Sequence, residues 1–516
     1  MSILLPSGNT ARYLSVLGGF LTSLGSGTHY VYSAYGPQLA SHLGFSATES
    51  EVIATLGSVG VYFSGPPAGI LIDHKPPYMP IFLGGSLILL GYMMMRLAYE
   101  TELRSLAFVS IWMMVASTGN TFAYHACVKT AAVNFPKNRG LAIAFPVAGY
   151  GLSALFFSQI GNAAFPGDTG KFLLMLPLLS SGLIFLGLPL VRHIGPKPVE
   201  DKETAVETEA LLSDAASDET AKLTEKSKEA NYSTMDEDST LYASSSNEVV
   251  VEETPATTAD GLDIHGWALF RQWRFWVHFA IHGLLSGVGL AYVLSAGYVL
   301  RALYTYDNPN ITPQELLSKQ AVQVSLISVS SFISRIIAGT IGDRLRRAGH
   351  QRMWCILGSA LIFMFGQIGA LTINTPRMMW YISVMNGLGY GTLFGTYASV
   401  FSEIFGLKHF TENYGYLTVA TVFGSDVFAY SFGAIYDHNS FYMDPTDGEM
   451  MNMRVQVCTK GLYCYRTAYT MTLPAAFIAV ILAATVIYIE HRKIVSDREA
   501  AQEALRKETE EIAASN

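Results

Sequence analysis

The sequence carries little charge and few cysteines for its length. Of its 516 residues, 14% are Asp, Glu, Lys or Arg and 50% are hydrophobic, whereas a soluble globular chain carries about 25% charged residues. Its four cysteines are too few for a disulfide scaffold and lack the spacing of a metal site. This composition excludes a small disulfide-stabilised domain and favours a protein whose surface faces lipid.

The sequence also lacks the short motifs of several functional classes. It contains no nucleotide-binding loop, catalytic triad, metal-hydrolase pattern or basic nucleic-acid patch. We therefore expect no enzyme and no ATP-driven pump, and neither a cofactor, a metal nor a nucleic-acid partner. Residues 1–10 lack a basic region and a cleavage pattern, so we expect the first apolar run to act as an uncleaved insertion signal.

Long apolar runs are what the sequence has instead. They are about 20 residues long and do not alternate with a period of two, which is typical of membrane-spanning helices rather than barrel strands. We therefore predict an all-α membrane protein with twelve transmembrane helices. The predicted spans are 12–35, 50–72, 79–98, 105–128, 139–163, 172–193, 275–300, 319–342, 354–373, 378–402, 414–436 and 467–489.

A polar interval divides these spans into two groups of six. Glu, Asp, Ser, Thr and Lys dominate the interval, and its apolar area is too small to offset the entropy of ordering. The predicted domains are an N-terminal bundle (1–194), a disordered acidic cytosolic linker (195–268), a C-terminal bundle (269–489) and a cytosolic tail (490–516).

The two groups share sequence patterns in the same order. A Gly-x-Gly-x-x-Tyr pattern in the first span, at residues 25–30, recurs in the seventh at 287–292. A Gly-x-x-x-Asp pattern ends the second span at Gly69–Asp73, and it recurs at Gly339–Asp343. Two such halves in the same orientation indicate a parallel duplication, in which a substrate site lies between the halves near the membrane midplane.

Three features orient the predicted bundle with both termini in the cytosol. Lys and Arg near the span ends are moderately biased towards that side. A glycosylation sequon at Asn310 lies in the outer loop after the seventh span. Cys458 and Cys464 lie in the outer loop before the twelfth span, where an oxidising lumen permits a disulfide. We expect this disulfide, and we leave open whether the sequon is used.

The twelve spans, the central linker and Gly-x-x-x-Asp-Arg after the eighth span resemble the major facilitator superfamily over nearly the whole chain. The resemblance implies the major facilitator fold and transport by alternating access. The first motif copy departs from the family pattern, because His-Lys-Pro-Pro at 74–77 replaces the usual Arg and trailing basic residues. The residues that the resemblance places in the gating motifs are Gly69, Asp73, Gly339, Asp343 and Arg344.

Four shorter motifs narrow this resemblance. They are Pro66-Pro67-Ala68-Gly69 with Asp73, Phe135-Pro136 with Arg139-Gly140, Gly-Tyr-Gly-Leu-Ser at 149–153, and Tyr436-Asp437 followed by the cysteine pair. In this order they resemble the fungal nodulin-like and monocarboxylate-transporter-homologue group. That resemblance implies a secondary active or facilitative transporter of a small organic solute, such as a carboxylate or an amino acid. The group is often vacuolar in fungi, and the plasma membrane is the alternative location.

Arg335 is the first candidate for substrate binding. It lies about 12 Å deeper in the eighth span than Asp343, at 1.5 Å per residue. A charge at that depth costs about 3 kcal/mol on insertion scales, so it should face the bundle interior. Its setting is similar to that of the arginine that binds the substrate carboxylate in monocarboxylate transporters, although Ser331 replaces that family's Asp. The alternative is a structural pair with a carboxylate or with backbone carbonyl groups.

Other polar residues within the spans are candidates too. Asp426 in the eleventh span can take up and release a proton, as a proton-coupling site requires, and a structural pair with Arg335 is the alternative. His278 and His282 are one helical turn apart without an evident third ligand, so we expect no metal site. Four further polar side chains are expected to hydrogen-bond a substrate: Tyr30, Tyr292, Asn120 and Asn386. The alternative role of these side chains is helix packing.

The linker contains an acidic dileucine pattern with Glu207, Leu211 and Leu212. Sorting adaptors read such motifs, and a disordered cytosolic segment would expose this one, so we expect vacuolar or lysosome-like sorting. The expected partners are therefore a small-molecule substrate, protons, the lipid bilayer and a sorting adaptor. The rival function is a transporter-like receptor or nutrient sensor with little flux.

Overall fold

A computed structural model of the chain describes residues 9–45, 47–165, 168–194, 264–309, 311–443 and 455–515. Residues 195–263, which cover most of the predicted linker, lie outside the described residues. The dileucine motif at Glu207, Leu211 and Leu212 and the sequon residue Asn310 also lie outside the described residues.

The N-terminal half consists of helices and short 3-10 turns. Gly27 interrupts the first predicted span, which continues as a 3-10 turn over Thr28–Val31, and Ser64 interrupts the second. The helices are α1 (Asn9–Ser26), α2 (Tyr32–Leu43), α3 (Ala47–Phe63), α4 (Gly65–His74), α5 (Tyr78–Glu100), α6 (Leu106–Asn134), α7 (Arg139–Ala164) and α8 (Thr169–Gly187).

The C-terminal half repeats this arrangement, and its seventh and eighth spans are longer, unbroken helices. Its seventh predicted span is one continuous helix, although the matching first span is broken. The helices are α9 (Trp267–Phe270), α10 (Trp273–Asp307), α11 (Pro313–Arg347), α12 (Met353–Thr372), α13 (Met379–Phe405), α14 (Phe410–Thr418), α15 (Ala420–Asn439) and α16 (Arg466–Ser515).

Nine helices or helix pairs in the described part of the chain are long and apolar enough to cross a membrane. The predicted spans outside this group are the first, the second and the tenth. Breaks shorten the helices of the first two, and Gly, Ser, Tyr and Asn dilute the apolar character of α13. With these three, the predicted all-α architecture of twelve membrane-spanning elements is confirmed.

Two predicted domain boundaries do not coincide with breaks in the structure. Helix α16 runs without interruption from the last span into the predicted tail. At the other boundary, Ile264 was assigned to the linker by prediction but contacts the C-terminal half. Its N–H donates to the Phe405 carbonyl at 3.4 Å, and its own carbonyl accepts from Asn413 Nδ2 at 2.7 Å.

A two-stranded antiparallel sheet lies between α15 and α16. Strand β1 (Phe441–Met443) pairs with β2 (Val455–Val457). A disulfide joins Cys458 to Cys464 directly after β2, and both cysteines are buried. The twelve-span prediction did not include this sheet, because three-residue strands are too short to show a period of two.

Glycines allow α10 and α15 to pack with their backbones in contact. A Cβ atom added at Gly424 would lie 2.0 Å from the Gly283 carbonyl oxygen, and one at Gly287 would lie 2.5 Å from the Gly424 carbonyl carbon. Small residues permit such close approach between membrane helices, where dispersion contacts rather than hydrophobic exclusion drive association. The position of α15 therefore depends on these glycines.

We predict that Gly424→Ala lowers the thermal unfolding temperature of the detergent-purified protein, because overpacking costs about 1–3 kcal/mol. Gly433→Ala on the same helix is the matched control. A Cβ there meets nothing within 4 Å, so this variant should gain about 0.5–1 kcal/mol from the better helix former. Equal unfolding temperatures for the two variants would contradict the proposed contact.

Candidate functional site

Asp343 caps a helix of the opposite half. Its Oδ1 accepts from the Gly140 N–H at 2.9 Å, and its Oδ2 accepts from the Leu141 N–H at 2.8 Å. Both donors belong to the first turn of α7. Arg352 Nη1 lies 2.8 Å from Asp343 Oδ1. Helix N-termini favour anions, so the first turn of α7 stabilises this buried carboxylate. Because α7 belongs to the N-terminal half and Asp343 to the C-terminal half, the two bonds join the halves. We call Asp343 with these three partners the second latch.

Asp73 makes the corresponding contact in the other direction. Its two oxygens accept from the Thr411 N–H at 3.3 Å and the Glu412 N–H at 2.9 Å, in the first turn of α14. Lys129 Nζ from α6 lies 2.6 Å from Asp73 Oδ1. We call Asp73 with these partners the first latch, and the end of the bundle that holds both latches the motif side.

The motif glycines are explained by the same contacts. A Cβ at Gly69 would lie 2.5 Å from the Glu412 nitrogen, and a Cβ at Gly339 would lie 2.5 Å from the Gly140 carbonyl oxygen. Each glycine stands one helical turn before its aspartate, on the face that meets the opposite half. The missing side chain lets the carboxylate reach backbone N–H groups directly.

The cations of the latches come from outside the two motifs. Arg352 at the start of α12 also donates from Nε to Glu403 Oε1 at 2.8 Å. Burial disfavours its charged form, but Glu403 and Asp343 outweigh burial and raise the pKa of Arg352 above its ordinary value. Arg344, which the resemblance places in the gating motif, is exposed. Sequence spacing missed Arg352 and Lys129 because only the packing of separate helices brings them to the carboxylates.

A small cavity lies between the halves, deeper in the bundle. Its volume is about 30 Å³, which holds one or a few water molecules. An organic solute therefore requires the walls to move apart. Residues of both halves line it: Tyr30, Val61, Tyr62, Thr121, Tyr124, His125, Val147, Tyr150, Arg335, Phe394, Tyr414 and Thr418.

Arg335 contributes the charge in this cavity. Its side chain is 2% exposed, and Nη1 donates to the Val147 carbonyl of α7. Within the described ranges, Nε has no hydrogen-bond partner, and no carboxylate forms an ion pair with the guanidinium. A buried cation without a counter-ion is costly, so an anionic ligand would supply the missing partner.

Tyrosines surround Arg335. Tyr30 OH lies 3.2 Å from Tyr390 OH of the opposite half, and the Tyr30 and Tyr150 rings pack edge to face with centroids 5.5 Å apart. Of these residues, sequence reasoning selected Tyr30 alone. Tyr62, Tyr150 and Tyr390 lie near the middle of their predicted spans, away from the interfaces where tyrosine is common. That position in the sequence could have identified them as candidate cavity residues.

Three predicted substrate-binding residues lie outside the cavity. Tyr292 OH is 2.7 Å from Ser383 Oγ, and Asn120 accepts from Thr28 at 2.9 Å. Asn386 accepts from Gln367 Nε2 at 3.3 Å and donates to the Ile382 carbonyl. Each of these bonds stays within one half. The first span breaks at Gly27, just before Tyr30, whereas α10 runs without a break through Tyr292.

Asp426 lies on α15 away from the Arg335 cavity. Its side chain is half-buried, and Ser425 Oγ is 3.5 Å from Oδ1. Among the described residues no ion pair links Asp426 to Arg335, so the structural pair considered from the sequence is not formed. In the same part of the chain, no group of three His, Cys, Asp or Glu side chains is placed to hold a metal ion.

Comparison with known proteins supports the resemblance read from the motifs. The profile of the Major Facilitator Superfamily matches residues 15–429. An uncharacterized membrane protein of Saccharomyces cerevisiae, YMR155W, is 27% identical over 90% of this chain and 93% of its own length. The probable transporter mch1 of Aspergillus fumigatus is 24% identical over 85% of this chain and 80% of its own length.

Solved structures share the fold at low sequence identity. The proton:xylose symporter XylE aligns with a TM-score of 0.57 at 12% identity, over 91% of this chain and 95% of its own. A bacterial homologue of the iron transporter ferroportin in its outward-facing state aligns with a TM-score of 0.56 at 13% identity, over 92% and 98%. These likenesses concern the fold alone.

We predict that Arg352→Gln destabilises the protein by about 3–5 kcal/mol, the range for removing one partner of a buried ion pair. Thermal unfolding of the purified protein measures this loss. Arg344→Gln is the matched control, because its exposed side chain should change stability by less than about 0.5 kcal/mol. A larger effect of Arg344→Gln than of Arg352→Gln would refute the assignment of the cation in the second latch.

Proposed function

Because this chain belongs to the major facilitator superfamily of membrane transporters, we propose that it moves a small organic anion across a membrane by alternating access. The observation that carries this proposal is Arg335, a buried guanidinium without a carboxylate partner among the described residues. The anion would be a carboxylate, including the carboxylate group of an amino acid.

The cavity suggests how such an anion would be held. The planar guanidinium of Arg335 offers parallel N–H donors that match the two oxygens of a carboxylate. Tyr30 lines the same cavity, and its hydroxyl group lies 3.2 Å from that of Tyr390 in the opposite half. A ligand that bonds to Arg335 and to these tyrosines would contact both halves at once, as a site between moving halves requires.

The latches suggest how access is controlled. With both latches formed, hydrogen bonds from backbone N–H groups to the two aspartates and close backbone contacts join the halves on the motif side. Each hydrogen bond to a charged group contributes about 1.5–3 kcal/mol. Opening this side therefore requires new contacts elsewhere, and the bound ligand can contribute some of them. We assign the gating role to Asp73 and Asp343, together with Gly69 and Gly339.

Asp426 is our proposed site of proton coupling. Its half-buried carboxyl group lies in a membrane-spanning helix, and no ion pair holds it within the described part of the chain. A carboxyl group in such a place can exist with or without its proton, depending on the neighbouring field and water access. Its distance from the cavity implies coupling through movement of α15 rather than direct contact with the substrate.

The location that we propose for this multi-pass membrane protein is the vacuolar membrane. The acidic dileucine motif at Glu207, Leu211 and Leu212 supports this assignment, together with the orientation that places the linker in the cytosol. In the same orientation the disulfide between Cys458 and Cys464 faces the oxidising side, and so does the sequon at Asn310.

The transport proposal predicts that Arg335→Lys weakens uptake. In proteoliposomes supplied from outside with labelled monocarboxylates and amino acids, this variant should show at least about tenfold weaker apparent affinity, because lysine keeps the charge but loses the planar fork. Arg377→Lys, the same change at an exposed position, should transport like wild type. Full affinity in Arg335→Lys would contradict carboxylate recognition, and binding without flux would favour the sensor.

The coupling proposal predicts that Asp426→Asn abolishes accumulation of substrate against its gradient, because asparagine cannot exchange a proton. Counterflow of labelled substrate without a proton gradient should persist. The control is Asp437→Asn, an exposed carboxylate on the same helix, which should accumulate substrate normally. If proton-driven accumulation is unchanged in Asp426→Asn, Asp426 is not the proton-coupling site.

The sorting proposal predicts that replacing both Leu211 and Leu212 with alanine moves the protein to the cell surface. Fluorescence microscopy of tagged full-length protein in a fungal cell measures the distribution. Leu223→Ala in the same linker is the control and should leave the distribution unchanged. If the double variant stays on the vacuolar membrane, the motif does not direct sorting.

A further inference from the structure

A second, larger cavity lies on the motif side of the C-terminal half. Its volume is about 400 Å³, compared with about 30 Å³ for the cavity at Arg335. Three helices contribute to it, together with Ile264, which lies three residues before α9. Trp273 and Arg274 begin α10, Phe405 ends α13, and Ile489 and Lys493 belong to α16.

The charges around this cavity favour an anion. Arg274 and Lys493 both line it. Glu490 lies near both cations and offsets one of them, so the three side chains leave one net positive charge. Arg274 is half-buried and Lys493 is exposed, which allows the two cations to approach a ligand from different depths.

Tryptophans place the cavity at the level of the lipid headgroups. Trp273, on its rim, is 48% exposed, and the nearby Trp267 and Trp276 are 83% and 51% exposed. Exposed tryptophans of membrane proteins concentrate at the interface between hydrocarbon and water. The apolar stretch of α16 that qualifies as a span ends at Lys493, which agrees with this level.

We propose that this cavity binds the headgroup phosphate of an anionic phospholipid. The two cations would pair with the phosphate, as basic pockets between membrane helices do. The apolar wall formed by Ile264, Phe405 and Ile489 would contact the glycerol and the first acyl carbons. This wall favours a lipid over free phosphate, and the tryptophans favour a lipid over an acidic segment of the linker.

Such a lipid would stabilise one half of the protein. Helices α10, α13 and α16 all belong to the C-terminal half, and the lipid would contact all three. It would also support the Ile264 N–H bond to the Phe405 carbonyl. The site is independent of Arg335 and of transport, so its test is distinct from the flux experiment.

The experiment measures the thermal unfolding of the full chain in detergent during titration with phosphatidylserine, phosphatidylcholine or inorganic phosphate. Phosphatidylserine should raise the unfolding temperature of the wild-type protein at much lower concentration than phosphatidylcholine. Replacing both cations, as Arg274→Gln with Lys493→Gln, should weaken this effect about 30-fold, since each basic residue near the surface contributes roughly fivefold.

Two further variants keep the result interpretable. Glu490→Gln removes the opposing charge and should strengthen the response to phosphatidylserine several-fold, which a merely misfolded variant would not do. Arg377→Gln with Lys460→Gln removes two exposed cations from other loops and should respond like wild type.

Several outcomes would overturn the proposal. An equal response to both lipids would remove the charge preference, and an equal shift with inorganic phosphate would show that no lipid is needed. If the Arg274→Gln and Lys493→Gln double variant responded like the wild type, the lipid would bind at another place on the protein. A response that appears only after Glu248, Glu252 and Glu253 are changed to Gln would assign the cavity to the linker.

Discussion

Two buried carboxylates hold the halves of this protein together at one end. Asp73 and Asp343 each accept two backbone N–H bonds from the first turn of a helix in the opposite half. A carboxylate at this depth is tolerated because a cation and the helix terminus both compensate it. These contacts require the backbones to meet, and this requirement places glycine one turn before each aspartate.

The helix pair α7 and α11 connects this interaction to the cavity. Asp343 and Arg335 belong to α11, and their partners Gly140 and Val147 belong to α7. Separation of the two helices would break the cap on Asp343 and the Arg335 bond to the Val147 carbonyl together. The second latch and the cavity therefore share the α7–α11 contact.

The candidate site was partly predictable from local properties. Arg335 was identified because a charge deep in an apolar span must face the interior, and Asp343 because the glycine pattern recurs in both halves. Arg352 and Lys129 were not identified as partners, since nothing in their own neighbourhoods distinguishes them from other basic residues near span ends. Tyr292 was selected, like Tyr30, as a hydrogen-bonding side chain within a predicted span, and only the structure shows that it lies outside the cavity.

The sequence by itself determined the class of fold. Hydrophobic runs of bilayer length force helices, because backbone groups in hydrocarbon must bond within their own segment. The internal repeat and the family motifs determined the division into halves and the membership of the superfamily. The tertiary structure alone decided which cation meets which carboxylate and which tyrosines surround Arg335. Those choices depend on contacts between helices distant in the chain, and side-chain periodicity within a single helix carries no information about them.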